Sequence, residues 1–184
     1  MKQLKIIDMT LVKGAASLSF KEKTEIARQL NKLNVDSIDL PEIQDSTTDT
    51  LLIRTISAFV KNSIICVSTG KTVEGVAAAA AALSAAKKAR IKVNLPVSAV
   101  QMEYVCHKKP NKMLALAKEL FAAATATGFE VEFFAEDATR ADAQYLNDII
   151  GAAVEAGISL ITLCDDEGSL LPDEFAAFIT KTKE

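Results

Sequence analysis

Carboxylate side chains stand close to the end of most of the short apolar runs in this sequence. These acids are Asp8, Asp39, Glu42, Glu136, Asp137, Asp165, Asp166 and Glu167. Carboxylates that converge on one edge of a fold supply the oxygen ligands that a hard divalent cation needs. They could equally cap the helices that follow, because Asp137 and Asp142 stand where the fifth predicted helix would begin.

Other polar side chains in the same positions could bind or transform a small molecule. The candidate catalytic residues are Lys13, Glu136 and Arg140. The candidate substrate-binding residues are Thr10, Asp39, Ser98 and Thr139, and Ser68, Thr69 and Asn94 occupy similar positions. Lys13 could form a Schiff base with a carbonyl substrate, or it could bind a carboxylate.

The single histidine offers little support for nucleophilic catalysis. His107 lies in a predicted loop beside Cys106 and two lysines, which is typical of a solvated surface residue. The neighbouring positive charges could lower the pKa of the Cys106 thiol, but no third group completes a catalytic arrangement.

The elements that must position these residues alternate regularly along the chain. Short β-branched runs predict strands at 4–7, 37–40, 64–68, 91–95, 130–134 and 160–164. Apolar residues at helical spacing predict helices at 21–33, 51–60, 73–89, 112–125, 143–156 and 174–181. Asn34, Gly128 and Gly157 stand where a left-handed residue would end a helix before the next strand.

Strict alternation of strand and helix leaves two architectures, an open doubly wound sheet or a barrel. No strand is followed by the glycine pattern of a dinucleotide-binding loop. The runs look apolar throughout, as parallel strands covered on both faces are. We therefore predict an α/β fold, a TIM-barrel-like parallel βα repeat of about six units, in one domain spanning 1–184.

Composition excludes several classes of function. The net charge of -3 gives no electrostatic reason to expect nucleic acid or an anionic membrane as a partner. Three widely spaced cysteines are typical of reduced thiols in a cytoplasmic protein. No run is long and apolar enough to predict a membrane span.

Four segments resemble the DRE-TIM metallolyases, the HMGL-like group that includes isopropylmalate synthase, homocitrate synthase and HMG-CoA lyase. They read IDMTLVKG at 7–14, VDSID at 35–39, FAEDATRAD at 134–142 and LCDDEG at 163–168. The segment at 134–142 is the most specific match. The likeness is continuous from about Ile7 to Phe178.

The resemblance implies a TIM barrel in which a divalent cation, such as Mg²⁺, Mn²⁺ or Zn²⁺, polarises a 2-oxo acid. The synthases of the group then add acetyl-CoA in a Claisen-type condensation. The family's cation is held by an Asp of an Arg-Asp motif, here replaced by Val12-Lys13, and by a His-x-His pair on the seventh strand. The chain lacks a His-x-His pair, so Asp8, Asp165 and Asp166 remain as candidate ligands.

Three hypotheses follow from this partial match. The chain could be a degenerate relative that is not catalytic alone, or a subunit of a synthase or aldolase completed by another chain. It could also carry out carbonyl chemistry through Lys13. In each case six strands would leave the first and sixth as unpaired edges, which predicts a homo-oligomer, most simply a dimer, or a complementing chain.

Overall fold

The computed structural model describes residues 4–183, in which strands and helices alternate. The strands are β1 (Ile7–Asp8), β2 (Ser37–Leu40), β3 (Ile64–Ser68), β4 (Ala89–Pro96), β5 (Glu130–Glu136) and β6 (Leu160–Leu163). The helices are α1 (Thr10–Lys13), α2 (Phe20–Leu33), α3 (Thr48–Phe59), α4 (Val73–Leu83), α5 (Ala99–Tyr104), α6 (Pro110–Ala126), α7 (Ala143–Glu155) and α8 (Pro172–Lys183). A short 3-10 turn covers Ala138–Arg140.

The strands join in one sheet whose order follows the sequence, from β1 to β6. The pairs β1–β2, β2–β3, β3–β4 and β5–β6 are parallel. A doubly wound sheet reverses its strand order at a switch point. The sequential order within residues 4–183 contains no such reversal, as expected of the singly wound repeat of a barrel.

The chain forms two compact units. Among the described residues, the first comprises 4–92 together with Thr127–Glu130. In this unit, α2 packs against α3 and α3 against α4. Fully buried aliphatic side chains of β2, β3 and α3 fill its core, among them Ile38, Ile65 and Ile56.

The second unit comprises Val93–Ala126 and the chain from Val131 onward. Here α6 packs against α7. The rings of Phe121 on α6 and Phe133 on β5 meet edge to face with centroids 5.0 Å apart. Burial of two aromatic side chains in this geometry stabilises the contact between the helix and the strand.

Local side-chain chemistry explains where the helices begin and end. Ser19 and Glu22 form a capping box at the start of α2, in which each side chain accepts from the other's backbone N–H. Asn34, Gly128 and Gly157 all have positive φ, at 55°, 78° and 88°. The predicted left-handed residues at these three junctions are confirmed.

Several predicted boundaries differ from the structure. The first predicted strand, 4–7, is found at Ile7–Asp8 instead, although the Ile6 carbonyl already accepts from the Asp36 and Ser37 N–H groups. The predicted helix at 73–89 ends at Leu83, because the Lys88 carbonyl already accepts from Ile65 of β3. The short helices α1 and α5 carry too little apolar periodicity for the sequence to predict them.

The expectation of apolar strands is wrong for β2 and β4. These strands alternate apolar and polar side chains, and Ser37, Asp39, Arg90 and Lys92 are all buried. Between residues 4 and 183, no helix combines the length and the apolar character needed to cross a bilayer.

Candidate functional site

A buried ion pair joins two strands of the first unit. The Nζ atom of Lys92 on β4 contacts Oδ2 of Asp39 on β2. The two residues are only 4% and 2% exposed. The Ser37 hydroxyl donates to the other carboxylate oxygen of Asp39 at 3.2 Å. Both oxygens of this carboxylate are therefore held by side chains.

The strand order explains why a long side chain is needed here. β3 lies between β2 and β4, with Asp39 beside Cys66 and Cys66 beside Arg90. Lys92 stands beside Ser68, so its backbone is level with the carboxyl end of β3, although β4 continues to Pro96. Its four-carbon chain reaches past β3 to Asp39. Parallel α/β proteins bind their ligands at this end of the strands.

Arg90 shares one face of β4 with Lys92, because side chains two residues apart on a strand point the same way. The Arg90 guanidinium lies 3.1 Å from Oε1 of Glu130. The first unit therefore holds two buried cations on one strand face, each with a carboxylate partner. A buried charge without such a partner would cost several kcal/mol.

The first predicted site residues cluster around the start of α1. The Asp8 carboxylate accepts from the N–H of Thr10 at 3.0 Å and from its hydroxyl at 3.2 Å. Asp8 thus binds the first turn of the helix. Lys13 is exposed at the last residue of α1.

The second unit contains a network of charges after β5. Asp137 is fully buried and has a left-handed backbone. The Arg140 guanidinium donates to both of its carboxylate oxygens, the shortest contact being 2.6 Å, and also to Glu167 at 3.2 Å. Asp137 does not cap a helix with its side chain, so that expectation is wrong, whereas Asp142 accepts from Tyr145 N and caps α7 as predicted.

The Asp137 carboxylate is strongly favoured in its charged form. Burial alone would raise its pKa, but hydrogen bonds from Arg140 and Ser98 and the charge of Arg140 outweigh burial and lower the pKa below its ordinary value. The same pairing raises the pKa of Arg140. Ser98 is buried, and its hydroxyl also accepts from Gln101 N and caps α5.

The acids after β6 are engaged by the protein itself. Asp165 accepts from the Thr139 hydroxyl at 2.7 Å and from the backbone of Ser169 and Leu170. These hydrogen bonds, led by that from Thr139, lower the pKa of Asp165. The Asp166 carboxylate accepts from Asp137 N at 2.7 Å.

Glu136 is bound to the end of β4. The Asn94 side-chain amide donates to its carboxylate at 2.9 Å, while the buried Oδ1 atom of Asn94 has no hydrogen-bond partner among the described residues. Glu136 is half-buried. It lies in the second unit, as do Arg140 and Thr139, whereas Lys13, Thr10 and Asp39 belong to the first.

These donors do not by themselves fit a divalent-cation site. Within residues 4–183, no three His, Cys, Asp or Glu side chains come close enough together to hold a metal ion. Hydrogen bonds within the protein already occupy carboxylate oxygens of all three candidate ligands, Asp8, Asp165 and Asp166. Their assignment as metal ligands stays a prediction that needs further donors.

The loop with the single histidine forms a separate open cavity in the second unit. His107 has a left-handed backbone and is exposed. It lines a cavity of about 430 Å³ together with Ala99, Glu103, Lys108, Lys109 and Pro110. An exposed position agrees with the expectation of a solvated residue.

Sequence reasoning missed Lys92 and its pairing with Asp39. The available signal was the alternation of Lys92 and Asn94 with apolar residues in the strand predicted at 91–95, together with Arg90 just before it. It also missed Glu132, which is fully buried on β5 and accepts from the Thr162 hydroxyl of β6 at 2.7 Å.

Comparison with known proteins agrees with this architecture. The HMGL-like family model matches residues 3–184. The chain is 35% identical over 182 residues to 2-isopropylmalate synthase of Heliobacterium modesticaldum, covering 97% of the chain and 36% of that protein. It is 33% identical over 186 residues to the 2-isopropylmalate synthase of Pyrococcus furiosus, covering 99% of the chain and 37% of that protein. The chain thus spans about a third of the length of these relatives.

Solved structures confirm the predicted fold class, a TIM-barrel-like parallel βα repeat. The HMG-CoA lyase of Bacillus subtilis superposes with a TM-score of 0.76 at 14% identity, over 96% of this chain and 63% of that one. Phosphonopyruvate hydrolase superposes with a TM-score of 0.62 at 18% identity, over 86% of this chain and 60% of that one. At such identities the likeness concerns the fold alone.

The charge network around Asp137 makes a prediction about stability. Replacing Asp137 with Asn should lower the free energy of unfolding by about 2 kcal/mol at neutral pH, since charge-assisted hydrogen bonds are lost. The lowered pKa means that the wild-type advantage is complete above about pH 4, the ordinary Asp range, and is lost as pH falls through the folded-state pKa. Urea unfolding of the wild type and of Asp137→Asn at pH 7 and at pH 3 measures the loss of stability and its dependence on pH.

Asp148→Asn is the matched control, because Asp148 is an exposed acid whose side chain accepts from Gln144 on the same helix. It should change stability by less than about 0.5 kcal/mol at either pH. Equal effects of the two substitutions would contradict the special role of Asp137.

Proposed function

Because this chain belongs to the HMGL-like family, we propose that it binds a 2-oxo acid but does not catalyse a metal-dependent condensation with its own residues. The ligand would lie at the carboxyl ends of the strands, where this fold places its sites. The relatives named 2-isopropylmalate synthase supply the expectation of a 2-oxo acid.

The observation that carries this proposal is the state of the acids near the strand ends. Asp8 binds Thr10, Asp165 binds Thr139, and Asp166 binds the backbone of Asp137. A divalent cation would have to compete with each of these hydrogen bonds. In addition, Lys13 places a positive charge where the family motif has an acid, which opposes cation binding there.

A different arrangement of charges supports recognition of an anionic ligand. Lys13 is an exposed cation near the carboxyl end of β1. In the second unit, the guanidinium of Arg140 already binds Asp137 and Glu167, so an anionic ligand there would have to compete with both carboxylates. Thr10 and Asp39 remain the proposed substrate-binding residues of the first unit. Ser98 and Thr139 remain separate candidates within the second unit.

A second candidate is a metal-dependent synthase or aldolase completed by another chain. Three observations in the second unit favour it. β6 is half-buried along its whole length and stands last in the strand order. No residue of α8 is buried. An apolar cavity of about 630 Å³ adjoins both elements, lined by side chains that include Ile150, Val154, Ile161, Leu163 and Ile179.

An exposed strand edge with an adjacent apolar cavity is a surface that a further strand and helix could cover. A partner that supplies them could also supply the missing cation ligands. A homodimer would cover the same surface without restoring the ligands. We propose the homodimer as the simplest assembly of this chain alone.

Calorimetry distinguishes the first proposal from metal-dependent chemistry. Titration with pyruvate or 2-oxoisovalerate should give a heat of binding that fits one site per chain. Added Mg²⁺, Mn²⁺ or Zn²⁺ should leave the affinity for the oxo acid unchanged. Specific binding of a cation that tightens the affinity for the oxo acid would contradict the proposal. It would favour an intact metal-dependent centre instead.

Light scattering at micromolar concentration tests the proposed assembly. We expect a dimer, and a Val154→Asp substitution should shift it towards monomer, because Val154 lines the apolar cavity and is 59% exposed. Val105→Asp is the matched control, since Val105 is 62% exposed and does not line that cavity. A monomeric wild-type chain, or equal effects of both substitutions, would overturn the dimer at this surface.

A further inference from the structure

Lys92 differs from the other lysines of the chain in its surroundings. Between residues 4 and 183 it is the one lysine that is buried, at 4% exposure. Lys92 stands beside Ser68, the last residue of β3. The backbone carbonyl of Lys92 accepts from the N–H of Thr69, the residue after Ser68, at 3.0 Å. The Lys92 backbone is therefore level with the carboxyl end of β3, the end at which parallel α/β folds carry out chemistry, and its amine reaches back to Asp39, which is level with Cys66.

The partner of Lys92 can accept its proton. Nζ contacts Oδ2 of Asp39, a residue that is 2% exposed. A proton can pass from Nζ to Oδ2 without an intervening group, because the two atoms are in direct contact. Ser37 holds the second oxygen of Asp39 at 3.2 Å, which fixes the carboxylate beside the amine.

We propose that Lys92 forms an imine with the keto carbon of a small 2-oxo acid, with Asp39 as the proton carrier. This inference rests on the proposed function, since it concerns the same ligand class. It assigns the carbonyl chemistry to Lys92 rather than to Lys13. Lys13 is exposed on α1, whereas Lys92 is buried beside a carboxylate.

The step conserves atoms and charge. Asp39 takes a proton from the ammonium, the amine nitrogen bonds to C2 of the oxo acid, and the keto oxygen receives that proton from Asp39. The resulting hydroxyl leaves as water with one of the two nitrogen protons, while the nitrogen electron pair forms the C=N bond. The product is a protonated imine beside the Asp39 carboxylate, and no oxidant or reductant is needed.

Reductive trapping tests the assignment directly. The purified chain is incubated with pyruvate and sodium cyanoborohydride, and intact mass and peptide mapping locate the adduct. We expect a single reduced pyruvyl adduct, on the peptide that contains Lys92, and its loss in Lys92→Arg, which keeps the positive charge. Lys118→Met is the matched control, because Lys118 is an exposed lysine of α6, and this variant should retain the adduct.

Lactate, which has no keto group, should give no adduct when it replaces pyruvate. Denatured chain shows how much adduct forms without the folded structure. An adduct on Lys13, or adducts spread over exposed lysines at the same level as in denatured chain, would overturn the inference. Mapping of the wild-type chain decides this point even if the Lys92 variant fails to fold.

The calorimetric titration with pyruvate separates the two proposals. Binding without an adduct at Lys92 would overturn the imine while leaving the 2-oxo acid proposal in place. Absence of both binding and adduct would overturn the proposed function as well.

Discussion

The contact between Lys92 and Asp39 is the interaction on which the first unit depends most. Opposite charges on β4 and β2 are buried on either side of β3. A buried ion pair is not a large net source of stability, because both charges lose hydration. Removal of one partner, however, leaves the other charge buried and unpaired, which costs about 3–5 kcal/mol. The pair therefore favours the observed register of three strands over any register that separates the charges.

This pair also gives the chain a different chemical character from that implied by its family resemblance. A cation-dependent site requires acids with oxygens directed at the metal. Here Asp39 binds a lysine, and Asp165 and Asp166 bind a hydroxyl and a backbone N–H. These acids of the predicted rim act as partners for the chain's own donors, which supports the proposal that the chain does not hold a catalytic cation with its own residues.

The fold could be predicted from the sequence because the residues that determine its elements act locally. Asn34, Gly128 and Gly157 end helices through backbone conformation, and the alternation of strands and helices restricts the topology. The site was less accessible, since the roles of Lys92 and Asp137 depend on side chains 53 and 3 residues away, respectively. The first requires knowledge of which strands are neighbours. The second requires the left-handed backbone at Asp137, which turns an expected helix cap into an arginine partner.

We propose above that the amine of Lys92, beside Asp39, forms an imine with the 2-oxo acid. Nuclear magnetic resonance of the lysine side chains, assigned with Lys92→Arg and Lys13→Met, observes both amines in one titration with pyruvate. Our account predicts that imine signals replace the Lys92 Cε and Nζ signals, whereas no imine signals arise from Lys13. Movement of Lys13 alone, with Lys92 unchanged at saturating pyruvate, would contradict it.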